Sequence, residues 1–391
     1  MNFSRRTDWH RQPNRLSELL DAHRRHGKLI IDLTISNPTD VGIQYPTKEI
    51  FAALSNVQSL HYQPDPRGLL SARKAIALQY RSEDVVVDPN NIFLTASTSE
   101  AYSLIAKLLC NAGENILAPQ PSYPLFDYLA QVNDVEIRNY RLFYDHGWHV
   151  DIDSIRKNIS SNTRAIVLIH PHNPTGMFLK KHGYREIVEL ARQYQLALIV
   201  DEVFSKYGFM QNVERIVTTA NSSDVLTFTL NGISKMLGLP QMKLGWIAVS
   251  GEQSVVKEAV ERLEIACDTF LSVNTPAQIA LMEFFGISTT VQSCLRQRTK
   301  ANYNFIQGKL LHSSCTLLDC EGGWYGIVRL PNVKTDEEWA IEFLAASDVS
   351  VHPGYFFDFE QEGHIIVSLI TEETKFQQGI DRIIAQVDAV R

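Results

Sequence analysis

Short apolar runs alternate with longer amphipathic stretches over most of the chain, and this alternation constrains the fold more than any other feature of the sequence. Several of the runs are apolar on both faces, as the strands of a buried parallel sheet are. Three-and-four spacing of apolar residues predicts a helix at 99–110, and 182–195 predicts a helix that crosses between two strands. The predicted strands are NIFLT (91–95), NILAP (115–119), RAIVLI (164–169), LALIVD (196–201), VLTFTL (225–230) and KLGWIAV (243–249). The sequence therefore predicts an α/β fold whose large lobe has a mostly parallel sheet flanked by helices.

The pattern changes after about residue 285. Long helical stretches at 288–312 and 373–390 flank short predicted strands near 324–330, 349–352 and 364–369. This arrangement predicts a second, smaller α+β lobe. The predicted division is an amino-terminal segment (1–44) that packs with the small domain, a large domain (45–284) and a small carboxyl-terminal domain (285–391).

Composition excludes several classes of function. The 391 residues carry 37 Lys and Arg against 44 Asp and Glu, and this mildly acidic balance argues against nucleic acid as a partner. No apolar run approaches the roughly 18 residues that span a bilayer, and no apolar run follows the basic amino terminus as in a secretory signal. The cysteines show neither paired metal spacing nor a disulfide framework: Cys110, Cys267, Cys294, Cys315 and Cys320. We therefore expect a cytoplasmic protein with no metal site and no membrane partner.

Polar side chains follow four of the predicted strands at the point where each strand ends. The segment LTASTSEA (94–101) carries hydroxyls into a helix, and the first N–H groups of a helix bind anions. Asn173 follows a second strand in IHPHNPTG, Asp201 ends a third in IVDEVF, and Lys235 follows a fourth in NGISK. Ligands of doubly wound sheets bind beyond the carboxyl ends of the strands. An anion cradle, an amide, a carboxylate and an amine are therefore expected at one edge of the sheet.

Each of these signals has a structural explanation when it is taken alone. The hydroxyls are typical of an ordinary helix N-cap, and NPTG is typical of a turn. Asp201 caps a strand equally well, and a single lysine is usually a surface residue. His170 and His172 alternate with no acidic partner in their segment, which favours a structural role over metal binding. It is the combination of the four that points to chemistry.

That combination suits catalysis through a Schiff base. A lysine amine condenses with an aldehyde cofactor and is later displaced by a substrate amine. Pyridoxal 5'-phosphate needs a carboxylate at its ring nitrogen, a helix N-terminus and a cation at its phosphate, and an aromatic ring on its face. The freed lysine can then carry a proton to and from the substrate.

These residues resemble a known family. NPTG, DEV and SKMLGLP…KLGW are similar, in order and spacing, to the motifs of class I/II aminotransferases, the fold type I enzymes that depend on pyridoxal phosphate. Asp201 and Lys235 are 34 residues apart, and the resemblance spans nearly the whole chain. It implies an aminotransferase that moves an amino group between an amino acid, or another amine, and a 2-oxo acid. It also implies that 45–284 is the cofactor-binding domain.

The resemblance assigns a role to each matching residue. Lys235 matches the lysine of the Schiff base, Asp201 the partner of the ring nitrogen, and Asn173 the amide that reaches the ring oxygen. Ser97, Thr98 and Ser99 match the phosphate-binding turn. Lys243 matches the counter-ion of the phosphate, where the family usually has an arginine. Tyr123 matches the aromatic residue that stacks on the ring. Tyr62 matches a tyrosine that reaches the phosphate of the partner subunit, which implies a homodimer.

The chain departs from the family at two positions. Phe204 replaces the usual tyrosine after DEV, so we predict that the Schiff base keeps its proton to higher pH than in relatives with tyrosine. Ile366, in HIIVSL, stands where an arginine normally holds the substrate carboxylate in a bidentate pair. Arg329 and Arg6 are candidates to replace that arginine, or else the substrate has no carboxylate at this place.

Two alternatives to transamination remain open at this stage. The same scaffold supports other pyridoxal-phosphate activities, namely lyases, synthases and decarboxylases, and the changes at Phe204 and Ile366 favour them. The second alternative is a non-catalytic regulator, which would carry a DNA-binding domain ahead of the fold. The first predicted strand begins by about residue 29, so we do not expect such a domain.

Overall fold

A computed structural model describes residues 1–9, 12–287 and 289–390. Its strands are Ile31–Asp32 (β1), Ile92–Thr95 (β2), Asn115–Gln120 (β3), Glu136–Tyr144 (β4), Trp148–Val150 (β5), Thr163–Ile169 (β6), Ala197–Asp201 (β7), Thr227–Gly232 (β8), Gly245–Ser250 (β9), Thr316–Leu317 (β10), Tyr325–Arg329 (β11), Val349–Ser350 (β12), His352–Pro353 (β13) and His364–Ser368 (β14). Its helices are Arg15–Arg25 (α1), Thr47–Leu54 (α2), Leu70–Arg81 (α3), Thr98–Leu109 (α4), Leu125–Val132 (α5), Ile152–Asn158 (α6), Lys181–Gln193 (α7), Ile233–Met236 (α8), Gln253–Asp268 (α9), Thr275–Ile279 (α10), Leu281–Ile287 (α11), Thr289–Leu310 (α12), Asp336–Ser347 (α13) and Glu373–Asp388 (α14).

The large sheet has the predicted character. Over the described residues its strand order is β2-β9-β8-β7-β6-β3-β4-β5. The pairs from β8 through β7, β6 and β3 to β4 are parallel, whereas β9, β2 and β5 join antiparallel at the two ends. The prediction of a mostly parallel sheet flanked by helices is confirmed, and α7 is the predicted crossover between β6 and β7.

Apolar residues cover both faces of this sheet because helices pack on each. On β6, Val167 and Ile169 belong to a core that includes residues of α4 and α9, whereas Ile166 and Leu168 belong to a core that includes residues of α7. Each fully buried aliphatic side chain of this size contributes about 1.5–3 kcal/mol to folding. Since both faces are buried, polar side chains on these strands are concentrated at the strand ends.

The carboxyl-terminal part of the chain builds a smaller antiparallel sheet. Its described strands lie in the order β10-β11-β14-β13, and Ile366 on β14 lies opposite Ile327 on β11. The amino-terminal segment joins this part, because β1 pairs with β12 in parallel and the Ser368 N–H donates to the carbonyl of Leu33 at 2.7 Å. The domain boundaries at 44 and 284 stay predictions. Residue 288, the predicted start of the long helix α12, lies outside the described residues.

Within the described ranges, none of the helices combines the length and the apolar character that a membrane span requires.

Candidate active site

Four polar segments meet in one cavity at the carboxyl ends of the central strands. Strands β6, β7 and β8 are parallel neighbours, with Ile169 opposite Asp201 and Asp201 opposite Leu230. Their carboxyl ends therefore lie at one edge of the sheet. The cavity there has a volume of about 240 Å³. Six of the predicted site residues line it: Lys235, Asp201, Asn173, Thr98, Ser99 and Tyr123.

Asp201 is a buried carboxylate with two hydrogen bonds. Its Oδ1 accepts the N–H of Val203 at 3.0 Å, and its Oδ2 accepts the hydroxyl of Tyr102 at 3.3 Å. Burial raises the pKa of Asp201 to about 6, although both hydrogen bonds and the nearby Lys235 favour the charged form. Above that pH the carboxylate is ionised and faces the cavity, where it can hold a proton on a ligand.

Lys235 lies on the one-turn helix α8 that follows β8. Its Nζ is 3.4 Å from the carbonyl oxygen of Ser36 and 5.1 Å from the centre of the Trp324 ring. Burial lowers the pKa of Lys235 to about 8, and the charge of Asp201 opposes this shift. A lowered pKa increases the fraction of free amine, which is the nucleophilic form. The backbone of Lys235 is fixed by the Tyr207 hydroxyl, which donates to its carbonyl at 2.7 Å.

The amide of Asn173 has an unused hydrogen-bonding atom. Its Oδ1 is buried and has no partner within the described chain. An unsatisfied buried polar atom costs about 1–3 kcal/mol, so its persistence at a cavity wall indicates a ligand that pairs with the amide.

The amino terminus of α4 forms another wall. Ser97 caps this helix, because its Oγ accepts the N–H of Glu100 at 3.2 Å. Thr98 and Ser99 line the cavity instead, in the first turn, where backbone N–H groups lack intrahelical acceptors. The hydroxyl of Ser97 is therefore used in capping, and the residues that carry the other two predicted hydroxyls line the cavity.

Lys243 and Tyr62 lie outside the cavity lining. Lys243 is exposed and has a left-handed backbone (φ 50°) just before β9. Tyr62 is 71% exposed and lines a separate surface cleft together with Phe270 and Leu271.

The wall around position 366 is apolar. On β14, Ile365 and Val367 pack with residues of α12 and α14, so Ile366 faces the opposite way and joins a buried cluster. Trp324, Phe204 and Tyr325 belong to the same cluster, and the last two also line the cavity. Among the described residues that line the cavity, Lys235 is the one cation.

Neither candidate arginine lines this cavity. Arg6 forms a surface ion pair with Asp134, and Arg329 lines a different cavity. Sequence reasoning also missed Tyr102, Tyr207 and Ser36. The only available signal was for Tyr102, which lies three and four residues after Ser99 and Thr98 and hence on the same face of α4.

The histidines of IHPHNPTG make internal hydrogen bonds. His170 Nδ1 accepts the N–H of Leu179 at 2.9 Å, and His172 Nδ1 is 3.0 Å from Thr175 Oγ1. Burial lowers the pKa of His170 to about 4 and that of His172 to about 3. Both rings are therefore neutral near pH 7 and support the loop that carries Asn173.

The architecture is that of the fold type I aminotransferases. Alanine aminotransferase from Pyrococcus furiosus superposes with a TM-score of 0.89 at 24% identity, covering 99% of this chain and 100% of that one. An aminotransferase from Escherichia coli gives a TM-score of 0.87 at 24% identity, covering 99% of this chain and 98% of that one.

The sequence identifies the family. Residues 28–383 match the model of the aminotransferase class I and II family, and the chain belongs to that family. Glutamate-pyruvate aminotransferase AlaA of Haemophilus influenzae is 28% identical over 96% of this chain and 93% of its own length. Alanine aminotransferase of Mycobacterium tuberculosis is 26% identical over 91% of this chain and 85% of its own length. The predicted aminotransferase activity is confirmed, and nothing in these comparisons supports a lyase, synthase or decarboxylase.

Proposed function

We propose that this aminotransferase binds pyridoxal 5'-phosphate in the cavity at the ends of β6, β7 and β8, and uses Lys235 to move amino groups between amino acids and 2-oxo acids. The observation that carries the proposal is the pairing of Lys235 and Asp201 on one small cavity. Their pKa values of about 8 and about 6 make a partly free amine and a charged carboxylate coexist near pH 7–8.

The residues present fit this cofactor. The buried, unpaired Oδ1 of Asn173 calls for a polar ligand atom at the cavity wall. The start of α4, with Thr98 and Ser99, offers N–H and hydroxyl donors to a phosphate. Tyr123 is 43% exposed and presents an aromatic ring to the cavity. We assign Asn173 to the ring oxygen, Tyr123 to the ring face, and Thr98 and Ser99 to the phosphate, with Ser97 completing the turn.

The mechanism follows from where each side chain can hold or move a proton. When bound, pyridoxal phosphate supplies an aldehyde that takes up the amino group and a ring that accepts the electron pair of the broken bond. Asp201 would hold the proton on the ring nitrogen, and the Tyr102 hydroxyl keeps this carboxylate in position. Lys235 Nζ would take up the proton from the α-carbon of the donor amino acid, and in the second half of the exchange it would give a proton to the α-carbon of the new amino acid. The apolar wall of Phe204 and Trp324 keeps water away from that amine.

We propose alanine and glutamate, with pyruvate and 2-oxoglutarate, as the first substrates to test. The names of the relatives, glutamate-pyruvate and alanine aminotransferase, support this choice. Ile366 indicates that the substrate carboxylate is held less tightly than by a bidentate arginine, so we expect high KM values.

The active enzyme is proposed to be a homodimer in the cytoplasm. Tyr62 lines a surface cleft with two exposed apolar residues, Phe270 at 58% and Leu271 at 37% exposed, and Leu60, two positions earlier in the chain, is 88% exposed. Contiguous exposed apolar residues are typical of protein interfaces. In the dimer, Tyr62 would contribute to the partner's phosphate site and Lys243 to its own. The five cysteines are free, as is usual in a reducing compartment.

The test is a half-reaction monitored by visible absorbance. Holoenzyme mixed with alanine should change colour and release one equivalent of pyruvate, and 2-oxoglutarate should restore the original spectrum. Lys235→Ala serves as the inactive control. Release of ammonia, or a spectrum that amino acids leave unchanged, would contradict the proposal.

A further inference from the structure

A second cavity, of about 250 Å³, lies where the two sheets approach each other. Gln120 and Arg141, register partners on β3 and β4, line it from the large sheet. Arg329 and His364, register partners on β11 and β14, line it from the small sheet. We call this space the arginine cavity. It lies on the same face of the small sheet as Ile366 but is separate from the cavity of Lys235.

The arginine cavity concentrates unpaired hydrogen-bond donors. Among the described residues, the guanidinium groups of Arg141 and Arg329 have neither an ion pair nor a hydrogen bond. The buried indole Nε1 of Trp148 also has no acceptor in the described chain. The Tyr144 oxygen accepts the N–H of Asp319 at 3.1 Å, which leaves its own hydrogen free to donate. These donors come from four different positions, and none of them has an acceptor within the described residues. The two arginine residues are exposed, whereas the indole N–H is buried.

The charge of this cavity favours an anion. Its acidic lining residue is Glu360, which forms no ion pair with either arginine, so two positive charges face one negative charge. His364 is neutral near pH 7, because burial and the nearby Arg329 lower its pKa. An anion placed between the guanidinium groups would therefore meet net positive charge.

Aromatic rings form the rest of the wall. The Phe359 ring stacks on His364 at 4.9 Å, and Trp148 meets Phe359 edge-on at 6.1 Å. Such a wall accommodates a short carbon chain, whereas guanidinium groups pair with carboxylates through two parallel hydrogen bonds. The ligand that fits both features is a small organic acid.

We propose that the arginine cavity binds the carboxylate of a small organic acid between Arg141 and Arg329, with the Trp148 N–H as a further donor. This site is distinct from the catalytic cavity and does not depend on the proposed cofactor chemistry.

The site is connected to the catalytic cavity through a short segment of backbone. Gln120 and Pro121 line the arginine cavity, and Tyr123 lines the catalytic one. The Ser122 N–H donates to the Phe357 carbonyl at 2.8 Å, so the same segment is also tied to the small domain. An acid that joins Arg141 of one domain to Arg329 of the other would restrain this segment and with it the ring of Tyr123. We therefore expect the acid to alter the KM for the amino acid.

Calorimetric titration of the holoenzyme with glutarate, with inorganic phosphate and with pentylamine tests the proposal. Glutarate should bind, pentylamine should not, and Arg329→Gln and Arg141→Gln should each weaken glutarate binding at least about tenfold. Arg156→Gln is the matched control, since Arg156 is an exposed arginine paired with Asp153 on α6. Melting curves establish that the three arginine variants are folded.

Two results would overturn the proposal. The first is an absence of glutarate binding to the wild-type holoenzyme; if phosphate binds instead, the ligand is an inorganic anion and not an organic acid. The second is unchanged affinity in both arginine variants, which would assign glutarate to the catalytic cavity or to the general surface.

Discussion

Replacing Asp201 with asparagine removes a buried charge that lowers the free energy of unfolding of the cofactor-free protein. Asp201 is 9% exposed, and burial raises its pKa from an ordinary 3.8 to about 6. Each pKa unit corresponds to about 1.4 kcal/mol, so the buried charge destabilises the folded protein by about 3 kcal/mol at pH 8. Asparagine keeps the shape of the side chain and can still accept the N–H of Val203.

We expect the cofactor-free Asp201→Asn protein to be more stable than the wild type at pH 8, by up to about 3 kcal/mol. The gain is an upper bound, because the neutral amide of asparagine also loses hydration when it is buried. The penalty is complete only above about pH 6, where the carboxylate is charged in both the folded and the unfolded protein. It disappears as the pH falls through 6 toward 3.8, so the difference between the two proteins should be smaller at pH 5 than at pH 8.

Pyridoxal phosphate should reverse this order. In the wild type the Asp201 charge gains a partner on the ring nitrogen, so the cofactor should raise the melting temperature more than in the variant. Urea unfolding of cofactor-free protein at pH 8 and pH 5, with melting curves of both holoenzymes, measures these effects. Asp153→Asn, at an exposed position, should change the free energy of unfolding by less than about 0.5 kcal/mol. A cofactor-free Asp201→Asn protein that is less stable than the wild type at pH 8, yet gains equally from the cofactor, would refute the reasoning.

Three further substitutions test other parts of the site. Phe204→Tyr should lower the pKa of the Schiff base by about one unit, because a phenolic donor favours its deprotonated form. A pH titration of the visible absorbance measures this pKa, and an unchanged value would count against the assigned position of this ring. Ile366→Arg should lower the KM for alanine about tenfold, and it should also destabilise the substrate-free protein because a guanidinium enters an apolar cluster. Steady-state kinetics measure the first effect and melting curves the second. An unchanged KM would mean that the substrate carboxylate lies elsewhere. Ser99→Ala should raise the dissociation constant for the cofactor about fivefold by fluorescence titration, whereas the surface variant Ser254→Ala should match the wild type.

The sequence sufficed for the residues that follow strands. Asn173, Asp201 and Lys235 each come just after an apolar run, and the carboxyl ends of neighbouring parallel strands meet at one edge. Their convergence could therefore be predicted without coordinates. The bounds of the predicted strands and helices also differ from the structure by only one or two residues at most ends.

Contacts between distant segments could not be predicted in this way. Tyr102 reaches Asp201 across 99 residues of sequence, and Ser36 meets Lys235 through a backbone carbonyl that any residue would supply. Ser97 shows a different limit: a serine at the start of a helix suits both capping and ligand binding, and only the 3.2 Å contact to the Glu100 N–H distinguishes the two. Arg329 was a reasonable candidate by residue type, and its place on the small sheet directs it to another cavity.

The assignment of Lys235 as the residue that carries the cofactor is tested most directly by chemical trapping. Purified holoenzyme is reduced with borohydride, digested, and mapped by mass spectrometry. We predict a pyridoxyl phosphate mass addition on Lys235, with loss of the visible colour. A colourless protein after incubation with pyridoxal phosphate, or a mass addition on another lysine, would contradict the account.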